Sequence, residues 1–116
     1  MTMIKINAPA QQLDLHQAGA LVKSYPITSA ANGMGELFGS EQTPRGWHQV
    51  RAKIGQGASL DAVFVSRRLS GERYSSAMRA AHRHRDWILC RILWLSGLEV
   101  GLNRLGRVDT MRRYIY

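Results

Sequence analysis

The longest apolar stretch in the chain is Trp87-Ile88-Leu89-Cys90-Arg91-Ile92-Leu93-Trp94-Leu95, and it limits the fold more than any other feature. It is interrupted by Arg91, and it falls well short of the roughly 18 apolar residues that a bilayer-spanning helix requires. A membrane span is therefore excluded from the expected architecture. Periodicity alone does not separate a buried strand from a short core helix here, but the length of the run and its stop at Ser96-Gly97 favour a strand. One strand over residues 87–95 is the expectation.

The first half of the chain repeats the strand signal at smaller scale. Ile4 and Ile6 share one face, and Asn7-Ala8-Pro9-Ala10 then breaks the run. Leu13 and Leu15 alternate with Asp14 and His16, and Gln17-Ala18-Gly19 reads as a tight turn into a third strand over residues 20–27. Pro26 offers no backbone donor, so pairing should weaken or end there. The expected unit is an antiparallel meander. A long Gly-rich and polar connection over residues 32–46 follows, with Thr43-Pro44-Arg45-Gly46 of turn composition. Two more strands are expected at 47–54 and 62–67, separated by Gly55-Gln56-Gly57. Residues 74–81 form the one expected short helix, residues 99–107 a loop, and residues 108–116 a final strand.

The 116 residues suit one modest domain, mainly β with at most one short helix. The start of the chain lacks a long apolar core of the secretory type, because Lys5 interrupts it and Asn7, Gln11, Gln12 and Asp14 follow. A cytoplasmic location is the resulting expectation. The formal charge of +8 is uneven: up to Ser66 five Lys and Arg meet four acids, and from Arg67 onward eleven Arg meet four acids. Guanidinium groups on such a surface grip oxyanions of several kinds, including phosphates, anionic lipids and carboxylates. Charge alone does not choose among them.

The single cysteine, Cys90, rules out an intramolecular disulfide and a CxxC pair. A thiolate nucleophile needs a depressed pKa and a neighbouring base, whereas Cys90 sits inside an apolar run where a small buried thiol is the ordinary occupant. His82 and His84 alternate with Arg83 and Arg85, and four nearby guanidinium groups (Arg79, Arg83, Arg85, Arg91) oppose a cation there. A solvated basic stretch is the reading, with no metal and no cofactor expected. Gly33-Met34-Gly35 and Gly55-Gln56-Gly57 lack the spacing of phosphate-binding loops and read as turns. Trp47, Trp87, Trp94, Tyr114 and Tyr116 are assigned to core packing rather than to a base-stacking platform.

Several segments occur in an order that resembles the YkuD-type L,D-transpeptidases. They begin with Gln12-Leu13-Asp14-Leu15, Tyr25-Pro26-Ile27-Thr28-Ser29 and Asn32-Gly33-Met34-Gly35-Glu36. Gly39-Ser40, Thr43-Pro44-Arg45-Gly46-Trp47-His48 and Arg51-Ala52-Lys53-Ile54-Gly55 follow. The closing blocks are Asp86-Trp87-Ile88-Leu89-Cys90-Arg91-Ile92-Leu93-Trp94-Leu95-Ser96-Gly97-Leu98-Glu99 and Val108-Asp109-Thr110-Met111-Arg112-Arg113-Tyr114-Ile115-Tyr116. The resemblance covers essentially the whole of residues 1–116. It implies a capped β-sandwich of that family, cut short at its C-terminal side. Complete members use a cysteine in a Ser-His-Gly-Cys segment, with a histidine from a preceding Ile-His-Gly, to transfer or hydrolyse peptidoglycan stem peptides.

Neither segment is present in these residues, so no catalytic residue is assigned and the chain is expected to be inactive. The resemblance places Tyr114 and Tyr116 on the strand that leads to the histidine, on one face, as candidates to line the substrate cleft. Arg91 and Arg112 are candidates to engage a stem-peptide carboxylate. Unpaired strands should expose edges and core, so self-association is a further expectation. Two alternatives stand beside this reading. One is a non-catalytic module that binds wall peptides or its own copies, and the other an Arg-rich nucleic-acid binder, supported only by charge.

Overall fold

The computed structural model describes residues 1–116 throughout. It is mainly β, in three separate antiparallel sheets. The first sheet is the expected meander of β1 (Thr2–Asn7), β2 (Gln12–Gln17) and β3 (Ala20–Pro26). Gln17 pairs with Ala20, which leaves Ala18 and Gly19 as a two-residue turn, both at positive φ (49° and 80°). Such a turn matches the right-handed twist of the strands it joins. Pairing ends at Pro26, opposite Gln12. In the register Ile4–Leu15 and Ile6–Leu13–Tyr25, the apolar residues fall on one face. Ile4, Ile6 and Tyr25 remain exposed there.

The long connection is held by its own polar groups. Thr43 bridges to Met34, its Oγ1 accepts from the Ala30 amide, and Arg45 forks onto Glu36. β4 (His48–Ile54) then pairs with β8 (Ile92–Gly97), with a bulge between Val50 and Ala52. The third sheet has β5 (Ala62–Val65) in the centre, flanked by β6 (Arg68–Arg73) and β7 (Ile88–Leu89). Ala62, Val63 and Phe64 of β5 and Ile92 of β8 are the buried apolar core, and Ile54, Ala58, Ile88 and Trp94 pack against it.

Three expectations are corrected. Residues 87–95 are not one strand but two, β7 (Ile88–Leu89) against β5 and β8 against β4. The break falls at Cys90, whose φ of 52° turns the chain so that the Arg91 amide donates back to the Leu89 carbonyl at 2.6 Å. The sequence explains the break through Arg91, whose charged head cannot stay in a buried ladder. Its guanidinium instead bonds the carbonyls of Ala58 and Cys90.

The expected strand over 62–67 stops at Val65. Ser66 and Arg67, at φ 48° and 64°, form a hairpin turn into β6 (Arg68–Arg73), a strand that its polar composition concealed. The expected strand over 108–116 is replaced by a 3-10 turn (Gly106–Val108) and successive tight turns. Asp109 causes this, because its carboxylate accepts from the amides of Leu105 and Arg112, an alternative to ladder bonding that short polar side chains favour. The expected helix is found, shortened to α1 (Ser76–Ala81), with Ser75 as N-cap accepting from the Met78 amide.

Candidate functional site

The residues after Asp109 turn back across β8. The Leu95 amide donates to the Ile115 carbonyl at 2.9 Å, and the Trp94 indole donates to the Met111 carbonyl at 3.0 Å. These two bonds carry Tyr114 and Tyr116 onto Trp94, with ring centroids 5.7 Å and 6.2 Å away. The Arg67 guanidinium, presented by the β5–β6 turn, lies 4.2 Å from the Tyr114 ring centre and 5.2 Å from that of Trp94. It also reaches the Tyr116 hydroxyl at 3.5 Å. No acidic side chain pairs with Arg67. Most of its five N–H donors are therefore open to an incoming oxyanion.

Two of these four residues hold unusual backbone. Arg67 and Tyr114 both lie in the left-handed region, at φ 64° and 55°, where a residue with a Cβ is disfavoured. Conformations of this kind persist where surrounding structure enforces them, and they concentrate at binding sites. Tyr114 is about half exposed and Tyr116 somewhat less. The patch is thus an aromatic shelf with one unpaired cation at its centre.

Of the four candidates from the sequence, the structure brings Tyr114 and Tyr116 together but not through strand alternation, since neither lies in a strand. Arg91 is engaged with the Ala58 and Cys90 carbonyls at the β7–β8 break. Arg112 is exposed on the C-terminal turn, and its side chain makes no hydrogen bond. Sequence reading missed Arg67, which only the concealed hairpin places. It also assigned all five aromatics to the core, whereas Trp47, Tyr114 and Tyr116 are exposed. No protein-family profile, curated protein or solved structure matches this chain.

Two other polar clusters are structural. Asn103, with no exposed surface, donates to the carbonyls of Arg45 and Trp47 and accepts from the Glu99 amide. Beside it, His48 Nδ1 donates to the Gly46 carbonyl at 3.0 Å, which leaves Nε2 to accept from the Thr110 hydroxyl at 2.9 Å. A histidine so oriented resembles a general base, but Thr110 is fully buried and no substrate reaches its hydroxyl. The second cluster joins Glu72, Arg85, Trp87 and Tyr74. Arg85 forks onto Glu72 and lies 4.3 Å over Trp87, whose ring meets Tyr74 edge-on at 5.4 Å. Arg85 holds the Glu72 carboxyl at about 2, well below its ordinary 4.5, although burial opposes this, and the Ser70 hydroxyl assists.

Cys90 is half-buried and no hydrogen bond reaches its thiol. No three His, Cys, Asp or Glu side chains gather in a group that could hold a metal ion. No helix is long and apolar enough to cross a membrane.

Proposed function

We propose that this chain is an L,D-transpeptidase-type domain that binds peptidoglycan stem peptides on the patch formed by Arg67, Trp94, Tyr114 and Tyr116. The observation that carries the reading is the unpaired Arg67 guanidinium held over the rings of Tyr114 and Trp94. A stem peptide offers the matching chemistry. Its carboxylates suit the paired donors of a guanidinium, and its alanine methyl groups suit an aromatic shelf. The ordered sequence resemblance supports the family assignment, and the mainly β build agrees with it at the level of class.

The finer expectations, a capped sandwich and cysteine-dependent acyl transfer in a complete form, belong to this proposal as well. Residues 1–116 contain no Ser-His-Gly-Cys segment, and Cys90 has no histidine bonded to it. Binding rather than turnover is therefore assigned to these residues. Titration with a synthetic tetrapeptide stem ending in D-alanine, followed by NMR, tests this. The Trp94 indole resonance should shift in a saturable manner, and Arg67→Ala should weaken binding by about five- to tenfold. A single-stranded oligonucleotide that competes fully with the peptide, with affinity falling steeply with salt, would favour the nucleic-acid alternative instead.

A further inference from the structure

β4 is an edge strand with an open side. Apart from its ladder with β8, no backbone hydrogen bond is made by any residue from 48 to 54. The direction of its open groups follows from β8. Leu95 spends its amide on Ile115, away from β4, so Leu95 and its partner Val50 form a non-hydrogen-bonded pair. The N–H and C=O of Val50 must then point to the free side. Alternation along the unbulged β8 assigns the same direction to Lys53, opposite Leu93.

The side chains along this edge are cationic. Arg51 occupies the bulge between Val50 and Ala52, and both Arg51 and Lys53 are exposed without an ion-pair partner. Such an edge discriminates between occupants. A second copy pairing antiparallel and centred on the strand would set Arg51 against Arg51, and like charges directly opposite destabilise a pair. A DNA backbone has no donors for the open carbonyls, and an RNA backbone offers only its 2′-hydroxyls, which do not repeat at the spacing of a β ladder. An extended acidic peptide satisfies both the ladder and the charges.

We propose that the free edge of β4 accepts an extended acidic segment of another protein by strand addition, with its carboxylates against Arg51 and Lys53. This surface is distinct from the Arg67 patch and does not depend on the stem-peptide reading.

A nine-residue peptide alternating Glu with Val is the probe, against the same peptide with Lys for Glu. Hydrogen exchange read residue by residue should slow at the Val50 and Lys53 amides when the Glu peptide binds. The double variant Arg51→Glu with Lys53→Glu should weaken the Glu peptide by about tenfold and gain affinity for the Lys peptide. Val50→Pro provides the second arm. It deletes a donor that β8 does not use, a position where edge strands tolerate proline, and it should abolish protection at Lys53 while the β4–β8 ladder stays protected. The proposal is overturned by equal binding of both peptides, by binding that leaves the Val50 and Lys53 amides unprotected, or by full affinity in Val50→Pro.

Discussion

Asn103 shows how one side chain can fix the approach to a strand. Its amide closes three bonds; without them the Arg45 carbonyl and the Glu99 N–H would be unpaired beneath the 98–110 loop, and the Trp47 carbonyl would keep only the Leu98 amide. Asn103→Ala should cost about 2–4 kcal/mol in urea unfolding, because buried groups left without partners carry their full desolvation penalty. Asn103→Asp should cost more, since a carboxylate would face the Arg45 and Trp47 carbonyls. Glu72 gives a prediction in pH. Its folded pKa of about 2 lies below its ordinary 4.5, so the stabilisation it contributes is complete above about 4.5 and lost as pH falls toward 2. Glu72→Gln should therefore flatten the decline in urea midpoint between about pH 5 and pH 2.5. Asp14, Glu36, Asp61 and Asp109, also held below their ordinary range, should preserve part of that decline in the variant. An identical decline in both proteins would contradict the Glu72–Arg85 coupling.

Among the elements, the β7–β8 break is the point where local chemistry overrode pattern. Cys90 at φ 52° sits against Gly55, whose own φ is 105° and where a Cβ would lie 2.8 Å from the Cys90 carbonyl. Gly55→Ala should destabilise by about 1–3 kcal/mol, and Cys90→Gly should stabilise or leave stability unchanged, both read by thermal unfolding. The meander was legible because Ile4, Ile6, Leu13 and Leu15 alternate and Ala18-Gly19 supplies its turn. β6 was not, because Arg68-Leu69-Ser70-Gly71-Glu72-Arg73 is exposed at most positions and carries no apolar alternation to mark it. Residues 108–116 misled for the opposite reason. Their apolar spacing resembles a strand, but the Asp109 carboxylate bonds that oppose it depend on a turn that spacing does not reveal. Of the candidate patch, Tyr114 and Tyr116 were named through a strand alternation that the chain does not form, and Arg67 was not named, because its place depends on the concealed hairpin.

At the scale of the whole molecule, four buried apolar residues serve 116, and the radius of gyration of 15.2 Å exceeds the roughly 13 Å typical of this length. The meander is joined to the rest mainly through Gln11, which bonds Ser29 and accepts from Ile27. Three strands with an uncovered apolar face are near the limit of independent stability. Amides of residues 2–26 should therefore exchange by local opening, well ahead of the β5 ladder, and equal protection across the two would show a meander anchored more firmly than its contacts allow. The C-terminal turns bring Arg67 from one sheet and Trp94 from another under the same two tyrosines. Binding at this patch is the claim on which the functional account depends, and NMR titration of the chain and of Arg67→Ala with the D-alanine-terminated tetrapeptide tests it most directly. Saturable shifts centred on Trp94, Tyr114 and Tyr116 are expected, with affinity weakened by about five- to tenfold in the variant. Shifts elsewhere, or unchanged affinity without the guanidinium, would contradict it.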